Sequence, residues 1–359
     1  MRVREFFLCC AVLSVAAALR ADDLWQEVKC PGRVVSLACV DSGDIYIGMT
    51  DAKGVARSKD GGTTWTAVNE GLDLSEAKVM VQALSTNRLG EVLAGIGYGG
   101  ITPAPGEKRD PCGYRLEGNG NVWKRSAGLT ANWFISSFTM DPKGILFAGT
   151  AWNGEVWRST DDGRSYTKVA ALSEKSAAAG TGPGAVWIVK VGPDGALYAQ
   201  GEMHCGLLRS TDSGATWQDV GLSYADGYGG NLAAIGFNRQ GEVLVGRVSH
   251  KTGAILQRLT KEGWVDSAQG LPPWGVCTAI VRNSSNRLFA GVGVRKGTEC
   301  AVYTSADDAK TWQSFCSGLP QIASGKLVLD RKGVLYCLMA GRVFRTVNTT
   351  ETTPNAPIR

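Results

Sequence analysis

A short turn sequence recurs four times along this chain: Ser58-Lys-Asp60-Gly-Gly62-Thr-Thr64-Trp65, Ser159-Thr-Asp161-Asp-Gly163-Arg-Ser165-Tyr166, Ser210-Thr-Asp212-Ser-Gly214-Ala-Thr216-Trp217 and Ser305-Ala-Asp307-Asp-Ala309-Lys-Thr311-Trp312. Such self-similarity marks a repeat architecture, in which each unit buries its apolar face against its neighbours. The Asp can accept hydrogen bonds from its own turn, and the Gly two residues on supplies a positive φ. The ring that follows opens a strand, where its large area can be buried. Each copy therefore reads as one hairpin.

Around the turn lies a longer unit, visible over residues 135–170 and again over 186–221. Each holds four strand-like runs. The first is apolar, a turn such as Asp141-Pro-Lys-Gly144 follows, the second resembles Ile145-Leu-Phe-Ala-Gly149, and the repeated turn joins the third to the fourth. Four antiparallel strands per repeat make a propeller blade. The fourth-strand aromatics align as Trp65, Trp123, Tyr166, Trp217, Trp264 and Trp312, giving six units. The segment after Lys326 supplies only three strands, and Trp25 near the start matches the fourth. The expected fold is all-β: a seven-bladed propeller of four-stranded blades, its ring closed by the N-terminal strand so that no sheet edge stays open. Leu24 to Thr346 spans 323 residues, about 46 per blade, a normal repeat length. Forty-seven Gly and 11 Trp suit its turns and interblade packing.

The pattern S-x-D-x-G-x-T-W resembles the Asp-box (BNR) repeat of the sialidase-like superfamily. Ala309 in place of Gly and Tyr166 in place of Trp depart from it. The box is shared by sialidases, xyloglucan-cleaving glycosidases, sortilin-type receptors and photosystem assembly propellers, so the resemblance implies architecture more than activity. In layout the chain is most similar to single seven-bladed propellers of the assembly-factor kind. The early Tyr/Phe-Arg-Ile-Pro motif of sialidases is missing, and xyloglucanases of this type pair two propellers.

Residues 1–21 read as a secretory signal peptide, with Arg2 and Arg4 before an apolar run from Phe6 to Leu19 and small residues up to Ala21. That run is too short to span a bilayer. The expected organisation is signal peptide 1–21, propeller 22–347 and a disordered Thr- and Pro-rich tail 348–359, in a secreted or periplasmic monomer. Removing residues 1–21, with three arginines and one glutamate, lowers the net charge from +5 to +3. So small a charge, without a basic stripe, argues against nucleic acid as partner. Eight cysteines lie beyond the leader; Cys300 and Cys316, equidistant from the turn at Asp308, are the pair expected to bridge. With His204 and His250 the only histidines, neither a metal site nor a cofactor site is expected.

In Asp-box propellers the boxes lie between third and fourth strands, and the opposite face usually holds the site. There this chain places its longest loop, 98–121, and collects Trp133, Trp152, Tyr228, Arg247, Trp274 and Arg295 as candidate ligand-binding residues. Aromatic rings and polar groups together suit a sugar. A glycosidase would need two carboxylates about 5 Å apart for retention or about 6.5–9.5 Å for inversion. Glu202 and Asp226, on adjacent loops of one blade, are the first candidates, then Glu155 and Glu299. Two functions stay open: a propeller that binds a glycan or a protein partner, and a glycoside hydrolase.

Overall fold

The computed structural model describes residues 23–99, 110–118, 120–131, 133–151, 154–172, 186–201, 206–222, 232–249, 254–293, 300–322 and 325–351. These form 28 strands and no helix. The first is β1 (Trp25–Val28). Sets of four follow: β2 (Val34–Cys39), β3 (Ile45–Met49), β4 (Val55–Ser58), β5 (Thr66–Ala67); β6 (Val79–Thr86), β7 (Val92–Tyr98), β8 (Cys112–Leu116), β9 (Trp123–Thr130); β10 (Ile135–Met140), β11 (Leu146–Thr150), β12 (Glu155–Ser159), β13 (Thr167–Ala171). The series continues with β14 (Val186–Val191), β15 (Leu197–Gly201), β16 (Leu207–Ser210), β17 (Gln218–Asp219); β18 (Leu232–Phe237), β19 (Val243–Ser249), β20 (Leu256–Thr260), β21 (Gly263–Asp266); β22 (Gly275–Arg282), β23 (Leu288–Gly293), β24 (Val302–Ser305), β25 (Gln313–Ser314). Last come β26 (Lys326–Leu329), β27 (Leu335–Met339) and β28 (Arg342–Thr346).

Each set pairs antiparallel in chain order, and β1 adds to β28 with Trp25 opposite Thr346. The sets β18–β21 and β22–β25 fuse into one eight-stranded sheet, because β19 runs on to pair Val248 with Val276 and Ser249 with Gly275. The first strands β2, β6, β10, β14, β18, β22 and β26 each adjoin the next, and β26 adjoins β2.

The repeated turn joins the third strand of its set to the fourth. Ser58 Oγ donates to Asp60 Oδ1 (2.8 Å) and accepts from the Gly62 N–H (2.8 Å). Asp60 accepts from the Thr64 N–H (2.8 Å) and the Thr64 hydroxyl (2.6 Å). The same contacts recur around Ser159 and Asp161, Ser210 and Asp212, and Ser305 and Asp307. Those bonds hold the Asp60 and Asp212 carboxyls at about 2, the Thr hydroxyl contributing most. Two left-handed residues make each bend, Ser213 (φ 59°) with Gly214 (φ 90°) for example, and in the fourth copy Ala309 takes φ 68°.

The aromatics at the fourth strands join one sheet to the next. Trp65 Nε1 donates to the Lys29 carbonyl (2.9 Å), Trp123 to Val68 (2.8 Å), Trp264 to Val220 (3.0 Å) and Trp312 to Ser267 (2.8 Å). Trp25 does the same to Phe315 (2.8 Å). Every acceptor directly follows the fourth strand of the preceding set, so a ring that fills the gap between sheets also satisfies a carbonyl there. Two positions differ: Trp217 donates to Gly214 in its own turn (2.9 Å), and the buried Tyr166 hydroxyl has no partner among the described residues.

Glycines let the sheets approach. A Cβ on Gly48 would lie 2.5 Å from the Val81 carbonyl, and one on Gly246 would lie 2.4 Å from that of Cys277, each on the next set's first strand. Cys300 and Cys316 form a disulfide across the β24–β25 hairpin, with Cα atoms 5.6 Å apart.

The packed body extends past the boundary expected at residue 347. Thr350 is buried, its hydroxyl donating to the Gly333 carbonyl (2.8 Å), and the Glu351 carboxylate accepts from the Ser284 and Ser285 N–H groups. Residues 348–351 therefore cover the turns of the last two sets, and the tail expectation is corrected to that extent. The expected signal peptide and residues 352–359 lie outside the described residues.

Candidate functional site

The seven first strands line a cavity of about 570 Å³. Six of them carry a β-bulge against their second strand, at Val34/Ser36, Val81/Ala83, Ile135/Ser137, Val186/Val189, Leu232/Ala234 and Cys277/Ala279. A bulge breaks the in–out alternation and re-aims a side chain. Lining residues beside these irregularities include Ser36, Gln82, Ser136, Ser137, Trp187 and Thr278.

The serine hydroxyls are committed to neighbouring backbone. Ser36 Oγ donates to the Val81 carbonyl (2.6 Å), Ser136 Oγ to that of Val186 (2.5 Å), and Ser137 Oγ accepts from the Val189 N–H (3.0 Å). They tie one first strand to the next, which leaves the wall's character to its longer polar side chains.

Two of these are lysines, Lys190 on β14 and Lys326 on β26, both half-buried. Lys326 Nζ donates to the Gln82 carbonyl on β6 (3.0 Å). Burial pushes the Lys326 ammonium down to about 8 and lowers that of Lys190 as well. Gln200 also lines the cavity; its side-chain oxygen is buried and has no hydrogen-bond partner among the described residues. The described lining contains no Asp or Glu.

Aromatic rings gather at the end of the cavity away from the repeated turns. Phe134 and Trp187 line it, their centroids 5.5 Å apart, and Trp133 lies 4.6 Å from Phe134 and 6.1 Å from Trp187. Trp133 is fixed there by its Nε1 bond to the Tyr98 carbonyl (2.8 Å).

Of the other residues expected at the site, Trp274 precedes β22 at the same end of its set and is 38% exposed. Arg247 is buried, donates to Gln257 Oε1 (2.8 Å) and is not part of the cavity wall. Glu155 is held by Lys168 (3.0 Å) and the Trp157 indole (3.2 Å). Glu202, Asp226, Trp152, Tyr228, Arg295 and Glu299 lie outside the described residues. Among the described residues no group of His, Cys, Asp or Glu could hold a metal ion. Lys190, Lys326, Trp187 and Gln200 were not expected from the sequence. The signal available was a lysine inside the otherwise apolar run Val186–Val191.

No family model matches this chain, and no curated protein matches it. Among solved structures it is similar to the GH74 xyloglucanase of Xanthomonas campestris, with a TM-score of 0.70 and 16% identity over 92% of this chain. That alignment takes in 54% of the xyloglucanase, so the chain spans about half its length. The fold is of the propeller type. It is also similar to YCF48 bound to D1 peptide, with a TM-score of 0.64 and 14% identity over 91% of this chain and 97% of that one. A third similar propeller is the virginiamycin B lyase of Staphylococcus aureus, at 0.62 and 16% over 90% of this chain and 98% of that one. At such identities the likeness carries the fold alone; two of these three are named as enzymes and one as a peptide complex.

Proposed function

We propose that this chain is an exported seven-bladed propeller of the Asp-box type, its ring closed by β1, which binds a glycan or a protein partner through the face opposite the repeated turns. The observation carrying this reading is the cavity: aromatic rings stand at its end away from the turns, while its described wall bears two lysines and no carboxylate. Rings and cations bind; cleavage of a glycosidic bond calls for paired carboxylates. The β1–β28 pairing and the contact of β26 with β2 support the closed ring. A disulfide across β24–β25 suits an oxidising compartment. The likeness to YCF48 bound to D1 peptide, which takes in 97% of that chain, supports a protein segment as one form of partner.

A second reading, a glycoside hydrolase, draws on the shared fold with the xyloglucanase and keeps Glu202 and Asp226 as its carboxylates. A glycan array run beside hydrolysis assays on the same sugars separates the two. Binding without turnover, unchanged in Glu202→Gln and Asp226→Asn, is expected. Turnover lost in either variant would replace the binding reading with hydrolysis, and silence in both assays would leave a protein partner.

A further inference from the structure

The cavity wall holds three polar side chains that the surrounding structure leaves short of partners. The Lys190 side chain makes no ion pair or hydrogen bond to any described residue, although burial disfavours its charge. Lys326 spends one of its three N–H donors on the Gln82 carbonyl and has no carboxylate partner among the described residues. Gln200, 1% exposed, lines the same cavity and carries a buried side-chain oxygen with no hydrogen-bond partner among the described residues. A half-buried cation without a counter-charge costs stability, and so does a buried amide oxygen without a donor. Replacing Lys190 by an apolar residue would relieve that cost without breaking a described hydrogen bond of its side chain.

We propose that this cavity is a binding site for a small organic anion, its carboxylate or phosphate group held in the field of the Lys190 and Lys326 ammonium groups that line it. The site draws on the same cavity as the reading above but does not depend on a partner at the loop face. Its volume, about 570 Å³, falls within the range of small-molecule sites. Phe134 and Trp187 offer apolar ring area for the ligand's uncharged body. Lysines suit this role because their point charges accept an oxyanion in several orientations, unlike the fixed fork of Arg.

The test uses the purified protein with D-glucuronate, inorganic phosphate and neutral D-glucose at constant ionic strength, followed by calorimetric titration and the thermal midpoint. At least one anion should bind and raise the midpoint, with glucose silent. Glucuronate acting alone identifies a carboxylate ligand; phosphate acting alone identifies a phosphate ester. Lys190→Met and Lys326→Met should each weaken the anion about tenfold or more, and Lys190→Arg should retain it. Lys190→Met removes a charge that has no partner, so its fold should persist by circular dichroism, and Lys190→Arg reads the charge independently of it. Absence of any anion effect, or one kept in both Met variants, overturns the proposal. Neutral glycans bound at the loop face would still bind to both variants, so the two readings fail separately.

Discussion

The Trp25 indole N–H donates to the Phe315 carbonyl, joining residues 290 positions apart at 2.8 Å. Both rings are buried and meet edge to face, with centroids 5.9 Å apart. Trp123 repeats the link to Val68 in the set before its own, while Tyr166 occupies the equivalent position with its hydroxyl unpaired among the described residues. Trp25→Phe and Trp123→Phe each strand a buried carbonyl and leave a void, and should cost about 1–3 kcal/mol. Tyr166→Phe removes an unsatisfied hydroxyl and should be neutral or slightly stabilising. Urea unfolding of the three variants checks this; a Tyr166→Phe loss as large as the Trp losses would show that the hydroxyl has a partner.

The serine of each repeated turn is buried and holds an N–H that has no other acceptor in the turn. Ser210→Ala would orphan the Gly214 N–H and free the Asp212 carboxylate, lowering stability by about 1–3 kcal/mol. The acid side follows from linkage. Because Asp60 and Asp212 titrate at about 2 in the fold, below their ordinary value of 3.8, the stability they contribute is present above that ordinary value and is lost as pH falls through about 2. Unfolding curves between pH 4 and pH 2 should show this loss in the wild type and less of it in Asp212→Asn.

Gly246 has ordinary backbone angles yet no room for a methyl group, since its Cβ would meet the Cys277 carbonyl at 2.4 Å and the Ala234 Cβ at 2.8 Å. Neither neighbour is a flexible side-chain end. Gly246→Ala should cost about 3 kcal/mol, the upper part of the overpacking range. Gly241 is the opposite case, with φ +81° and nothing within 4 Å of its Cβ; Gly241→Ala should cost about 1 kcal/mol from left-handed strain alone. Chemical denaturation that ranked the two in reverse would contradict the close approach of β19 to β22.

The strand order was legible because its signals are local. Ser, Asp and Gly build their turn within seven residues, and the Trp that follows needs only a neighbouring sheet to pack on. Why Trp217 bonds its own turn whereas Trp264 reaches Val220 is a matter of tertiary fit, and no pattern announces it. The cavity was hidden for a related reason. A lysine in Val186–Val191 reads as an interruption of a buried strand until the bulge at Val186/Val189 and the cavity that β14 shares with the other first strands give it open space. Arg247 shows the reverse error: a cation at a second-strand end looks available, yet it folds inward onto Gln257.

Lys326 should make the alkaline behaviour of this protein unusual. Its ammonium titrates at about 8 in the fold against an ordinary 10.5, so between those values the unfolded chain holds more protons than the native one, and stability attributable to this group rises with pH. Buried tyrosines and thiols act in the opposite direction above about pH 9, so the measurement is the difference between wild type and Lys326→Met at each pH. The only other charged group on the described wall is Lys190, and burial alone lowers the Lys326 ammonium. From pH 8 to pH 10 the wild type should gain about 1–2 kcal/mol on the variant, less than the full shift implies because water in the cavity screens the charge. A difference that stays flat would mean that the ammonium keeps its ordinary hydration, and that the cavity is wetter than its wall suggests.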